Sequence, residues 1–176
     1  MSRHHKEPES IRLDPRLQAR LEDKKGRLDM HRPLAPAIAR RLHEDLRIRL
    51  TYHSNAIEGN TLSLRETQVV IEEGMTIGGH SLREHLEATK HANAFDALLS
   101  LVEHHAPITV ETVLRLHALV LHDLYETAGQ WREQPVYIRG SHHLPPPANQ
   151  VPPLMVQWAK WLEDEGLHYP PVVRAA

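Results

Sequence analysis

The stretch Ser54-Asn55-Ala56-Ile57-Glu58-Gly59-Asn60 has the pattern of one helical turn with its own start and stop signals. Ser54 can cap the first free N–H groups, and Gly59 can adopt the left-handed conformation that ends a helix. Glu58 then lies at the negative end of the helix dipole, where a carboxylate is unfavourable unless a cation faces it. Because one turn is too short to be stable alone, we predict that it docks against other elements and that Glu58 faces a positive group. An ordinary solvated glutamate before a helix stop is the alternative.

The residues upstream predict two helices. Asp14 followed by Pro15 is typical of a capped helix start, and we expect this first, charged helix to run through about Met30. After Pro33, apolar residues recur at every fourth position and predict an amphipathic helix whose apolar stripe packs into the core. The stripe consists of Leu34, Ile38, Leu42, Leu46 and Leu50. Residues 1–13 are predicted to be disordered.

The residues downstream predict further helices. Ser63 with Glu66, and Ser81 with Glu84, each have the spacing of a capping box, which marks a helix start. Thr109 caps a later helix that is apolar on several faces, so we expect that helix to be the buried centre of a bundle. These signals together favour an all-α fold.

One segment departs from the helical pattern. Residues 135–139 form a short run of β-branched and aromatic type, and Gly140 with Ser141 has the pattern of a turn. We therefore predict a small β-hairpin that projects from the helical body, with an irregular loop as the alternative.

Composition restricts the possible functions. The chain has 176 residues, a formal net charge of −2 and no cysteine, which argues against nucleic acid or an acidic membrane as partner and excludes disulfides and thiolate chemistry. No apolar run approaches the roughly 20 residues that span a bilayer, so we expect a soluble, cytoplasmic protein. The 15 histidines lack metal-ligand spacing, and we predict no metal site.

The motif Ser-x-x-x-Glu-Gly at Ser54, Glu58 and Gly59 resembles the inhibitory motif of Fic-family proteins, which transfer AMP from ATP to protein hydroxyl groups. The similarity continues through residues 84–88, 129–132, 136–141 and 144–147. The resemblance implies an all-α, multi-helix Fic-like bundle with a small β-hairpin flap.

The resemblance also implies roles for particular residues. Four residues would form an inhibitory site close to the γ-phosphate of ATP, namely Ser54, Glu58, Gly59 and Asn60. The flap, residues 134–144, would position the side chain of the target protein over the ATP. Its target-docking residues would be Gln134, Pro135, Val136, Tyr137, Ile138, Arg139, His142, His143 and Leu144. The implied partner is a target protein with a modifiable hydroxyl, which could be a copy of the same chain, and a homodimer is a further expectation.

The family's catalytic signature, His-Pro-Phe-x-x-Gly-Asn-Gly-Arg, does not occur in these residues. We therefore assign no catalytic residue to this chain and expect ATP and Mg²⁺ to bind only in a complete protein. The expected organisation is a helical region at 14–106 with the inhibitory turn at 54–60, followed by the first part of a Fic core at 107–176. A non-catalytic regulatory or interaction module is the alternative.

Overall fold

The computed structural model describes residues 13–175 and consists of helices joined by short connections, apart from a long irregular connection at residues 122–147. The predicted disorder of residues 1–13 concerns residues that, apart from Leu13, lie outside this range. The helices are α1 (Pro15–Asp29), α2 (Pro36–Ile57), α3 (Leu64–Glu73), α4 (Leu82–Glu103), α5 (Val110–Leu121), α6 (Val151–Glu163) and the short α7 (Pro171–Arg174). Two 3₁₀ turns, Ala148–Gln150 and Glu165–His168, lie before and after α6. No helix of the described part is long and apolar enough to cross a membrane.

Local signals determine where several of these helices begin. Asp14 accepts hydrogen bonds from the backbone N–H groups of Arg16 and Leu17, and α1 begins at the proline that follows it. Both predicted capping boxes are confirmed, at the starts of α3 and α4. Thr109 caps α5 through the N–H of Thr112. The all-α prediction is therefore confirmed.

Helix α4 lies at the centre of the bundle and contacts α2, α3 and α5. The buried residues of α4 are His85 and the small residues Ala88, Ala92 and Ala94, and small side chains allow neighbouring helices to approach closely. The prediction that the apolar helix α5 would be the buried centre is wrong, because none of its described residues is fully buried. An apolar composition favours burial, but α5 packs chiefly against a single neighbour, α4.

The apolar stripe of α2 does not pack into the core, contrary to the prediction. Four of its five members are exposed: Ile38, Leu42, Leu46 and Leu50. A strict spacing of four advances about 40° per step around a helix of 3.6 residues per turn, so such a stripe spirals away from any one neighbour. The fully buried residue of α2 is instead Thr51.

The predicted β-hairpin is also wrong, because residues 134–144 form no strand. A turn does form, in which the N–H of Ser141 donates to the carbonyl of Ile138 at 3.1 Å and Gly140 adopts φ +76°. Prolines at 135 and 145–147 have no N–H to donate, which restricts pairing on both sides of the turn. An isolated two-stranded hairpin is marginal even without them.

Candidate functional site

Residues 54–60, predicted to be an inhibitory motif, form the last turn of α2 and the residues that end it. Gly59 has φ +93°, and its N–H donates to the carbonyl of Ala56, while the N–H of Asn60 reaches back to the carbonyl of Asn55 at 3.0 Å. This pair of bonds is a Schellman motif, which requires a left-handed residue at the glycine position. The prediction that Gly59 ends the helix is confirmed.

Ser54 has a different place from the one predicted. It lies inside the 22-residue helix α2 and caps no separate turn. The turn is stable because it continues a long helix, so the prediction of an isolated docked turn is wrong. Ser54 is half-buried and faces a cleft between α2, α4 and α5.

The cleft has a volume of about 360 Å³ and is open to solvent. Glu58 is exposed and lies on its wall. Its other polar lining residues are Ser54, Asn55, Arg83, Glu87, His91 and Tyr125. The Nδ2 atom of Asn55 is buried and has no hydrogen-bond partner in the described part of the chain.

No cation pairs with Glu58 among residues 13–175, contrary to the prediction from helix-dipole arguments. Arg83, the cation on the cleft wall, bonds instead to Glu87 at 2.9 Å and to the hydroxyl of Tyr125, and its guanidinium stacks 5.0 Å from the centre of that ring. The bond to Glu87, and after it the bond to Tyr125, raises the pKa of Arg83. The Glu58 carboxylate therefore borders the cleft without a paired cation from the described residues, at the negative end of the α2 helix dipole.

His91 borders the same cleft as a neutral side chain. Its Nδ1 atom is 2.9 Å from the hydroxyl of Thr51, the buried residue of α2. Burial lowers the pKa of His91 below its usual 6.5, so the imidazole is uncharged at neutral pH. A hydrogen bond between two uncharged side chains thus joins α2 to α4 at this wall of the cleft.

The three residues after Gly59, 60–62, form a strap that crosses from α2 to α3. The side-chain amide of Asn60 donates to the carbonyl of Glu84 at 3.0 Å and to the carboxylate of Glu87 at 3.1 Å. Thr61 donates both its N–H and its hydroxyl to the Glu84 carboxylate, at 2.8 and 2.6 Å. Leu62 is 3% exposed and belongs to the core. Two of the strap's three residues, Asn60 and Thr61, are thus hydrogen-bonded to α4.

Glu84 was identified from the sequence only as part of a capping box. Its contact with Thr61 joins residues 23 positions apart, and no local pattern indicates it. The hydroxyl of Thr61 and the N–H of Ser81, followed by the N–H of Thr61, lower the pKa of Glu84 from its usual 4.5 to about 2. The carboxylate is therefore ionised at neutral pH.

The flap, residues 134–144, lies outside the cleft, none of whose lining residues it supplies. Most of its predicted docking residues are exposed, and Tyr137 most clearly, with 77% of its surface accessible. Arg132 holds the two ends of the loop together: its guanidinium donates to the carbonyl of Gln134 at 2.9 Å and to the carbonyl of Pro146. The role of Arg132 was not predicted from the sequence.

Residues 107–176 match the Fic/DOC family. The chain is 34% identical over 160 residues to "Protein adenylyltransferase Fic" of Drosophila willistoni and 35% identical over 161 residues to the protein of that name from Drosophila grimshawi. Each alignment covers 87% of this chain but only 30% and 31% of the relative, respectively. The chain thus spans about a third of the length of these relatives.

Solved structures agree with this similarity. A Fic family protein from Desulfovibrio desulfuricans G20 superimposes with a TM-score of 0.75 at 29% identity, over 94% of this chain and 50% of that one. Fic-1 (residues 134–508) from C. elegans superimposes with a TM-score of 0.70 at 30% identity, over 92% of this chain and 50% of that one. The bundle, the terminated helix α2 and these similarities lead to one conclusion: the chain belongs to the Fic family.

Proposed function

We propose that these 176 residues are the self-inhibited, target-docking part of a protein adenylyltransferase whose catalytic signature lies in a further segment. The observation that carries the proposal is Glu58, an exposed carboxylate at the end of α2 on the wall of a cleft, which forms no salt bridge among residues 13–175. The similarity to relatives named protein adenylyltransferases supports the reaction type.

In AMP transfer, the hydroxyl oxygen of the target attacks the α-phosphorus of ATP. A new P–O bond forms, the bond from the α-phosphorus to the β-phosphate oxygen breaks, and pyrophosphate leaves while a base takes the hydroxyl proton. The Fic signature, which residues 1–176 do not contain, would supply the base and the phosphate-binding loop. We assign no Mg²⁺ ligand to residues 13–175, among which no group of three His, Asp or Glu side chains is placed to hold a metal ion.

The role of Glu58 in this proposal is to repel the γ-phosphate of ATP. Two unit charges 4 Å apart interact with about 1 kcal/mol in water and about 4 kcal/mol at an effective dielectric constant of 20. Because Glu58 is exposed in this chain, strong inhibition requires that the catalytic segment cover the cleft and reduce the solvent around it. The arginine of the signature would then be the cation that holds Glu58 in place.

The proposed reaction is tested by incorporation of radioactive label into protein, with the complete protein as enzyme. We expect ATP labelled at the α-phosphate to transfer its label and ATP labelled at the γ-phosphate to transfer none. Label from the γ-phosphate would identify phosphoryl transfer and reject the proposal. Absence of label from both nucleotides, even with Glu58 replaced, would favour the non-catalytic interaction module.

We further propose that the flap binds the target through its backbone at residues 136–138. None of the three N–H groups donates a hydrogen bond within the described part, so an extended target segment could pair with this edge. Because the flap forms no hairpin, these backbone N–H groups are not paired within the flap and are available to bond to a target.

Substitution of Tyr137 by proline tests this docking. Proline removes one N–H, and the loss of one hydrogen bond whose acceptor stays buried should lower target modification about tenfold. The matched control is Tyr137→Ala, which removes the side chain and keeps the N–H. The measurement is the kcat/KM for modification of the target, compared with self-modification at another site. Equal loss in the proline and alanine variants would assign the docking to the tyrosine side chain instead.

A further inference from the structure

We infer that Glu84 is a positioning residue that holds Glu58 in its inhibitory place through the strap, residues 60–62. The inference rests on the proposed inhibitory role of Glu58. Glu84 lies on α4, and its carboxylate is linked to the end of α2 through the strap.

The Glu84 carboxylate is bonded on both oxygens. Its Oε1 atom accepts the N–H and the hydroxyl of Thr61 at 2.8 and 2.6 Å. Its Oε2 atom accepts the N–H and the hydroxyl of Ser81 at 2.8 and 2.9 Å. Four donors fix the orientation of this side chain, of which 17% is exposed, so it links two chain segments rigidly.

The bonds to Thr61 act close to the inhibitory carboxylate. Thr61 is three residues after Glu58, and only Gly59 and Asn60 lie between them. Those two residues donate the Schellman bonds that end α2, and Asn60 is bonded to α4 as well. If Thr61 is released, the strap keeps only the bonds of Asn60 to α4, so the last turn of α2 should fray more often and leave its terminal carbonyls without partners.

The other capping box shows that this contact is more than helix capping. Glu66 accepts the N–H of Ser63 at 2.8 Å with one oxygen, and its second oxygen faces His80 at 3.5 Å. Glu66 thus caps its own helix without a bond to the backbone of another segment. Glu84 makes the same cap and, in addition, binds the strap.

Amide hydrogen exchange of residues 1–176 tests whether Glu84 holds the end of α2. Thr61→Val changes the shape little but loses the hydroxyl's bond to Glu84 and its 3.0 Å contact with Nδ1 of His80. In this variant we expect the amides of Gly59 and Asn60 to exchange about tenfold faster. The matched control is Ser81→Ala, which also loses one hydroxyl bond to Glu84. It should loosen the first turn of α4 and leave those two amides unchanged. Unchanged exchange in Thr61→Val, or equal acceleration in both variants, would overturn the inference.

Activity of the complete protein separates this inference from the proposed function. Glu84→Gln places an NH₂ group opposite the donors of Thr61 or Ser81, so the bonds to one of them are lost. This variant should raise AMP incorporation severalfold. In a protein that already carries Glu58→Gly, it should have no additional effect. If Glu58→Gly itself does not activate, the proposed function fails, and hydrogen exchange still decides whether Glu84 holds Glu58. If Glu58→Gly activates while Glu84→Gln does not, or if the two effects add independently, only the role of Glu84 fails.

Discussion

Replacing Glu58 with glycine should raise AMP incorporation by the complete protein at least tenfold. Glycine removes both the charge and the volume that would exclude the γ-phosphate. A repulsion of about 4 kcal/mol at an effective dielectric constant of 20 corresponds to a change in ATP affinity much larger than tenfold. An increase is diagnostic, because most substitutions either do nothing or harm a protein. The measurement is incorporation of α-labelled AMP at equal concentrations of wild type and variant, with folding checked by circular dichroism.

Two further variants separate the possible causes of such activation. Glu58→Gln keeps the volume and removes the charge, so intermediate activation would indicate electrostatics and no activation would indicate steric blockade. Ile57→Gly introduces the same backbone freedom at the neighbouring position, where the side chain is 83% exposed. Equal activation by Ile57→Gly would assign the effect to a loosened helix end. A folded Glu58→Gly protein with wild-type activity would make Glu58 an ordinary surface residue.

We expect Gly129→Ala to lower the free energy of unfolding more than any other substitution proposed for this protein. Gly129 has φ +77°, and an added Cβ atom would lie 2.9 Å from the Cβ of Ala118. The left-handed conformation costs a non-glycine residue about 1–2 kcal/mol, and overpacking adds about 1–3 kcal/mol. The N–H of Gly129 also donates to Nδ1 of His117 at 2.9 Å, a bond that any shift of the backbone would weaken.

Gly140→Ala is the matched control for this prediction. Gly140 has nearly the same φ, +76°, but its added Cβ would meet no atom within 4 Å. The difference between the two variants therefore isolates the steric contact with Ala118 from the backbone strain. We expect Gly129→Ala to lose about 2 kcal/mol more free energy of unfolding than Gly140→Ala, measured by urea denaturation. Equal losses would show that α5 moves aside at little cost.

The sequence predicted well those features that depend on a few neighbouring residues. The capping boxes at Ser63 and Ser81 marked the starts of α3 and α4, and Gly59 marked the end of α2. Each of these signals is satisfied within about five residues, so no knowledge of the tertiary structure is needed.

Predictions that depended on distant neighbours failed or could not be made. Ser54 can cap a helix, but residues upstream continue the helix through it, and its capping potential is not used. The flap has the residue types of a strand, yet no partner strand lies beside it among residues 13–175. The bond between Thr61 and Glu84 depends on how α4 meets the strap, which residue patterns alone do not determine.

If the flap docks targets as proposed, the contacts of Arg132 on either side of it affect how the protein could acquire new targets. Because the carbonyls of Gln134 and Pro146 are held by one guanidinium, the residues between them form a loop whose ends are already closed. Doubling the length of a closed flexible loop costs only about 0.6 kcal/mol of entropy. Insertions near Gly140 would then alter the surface offered to a target while the helical bundle keeps its stability, so target choice can evolve separately from the fold.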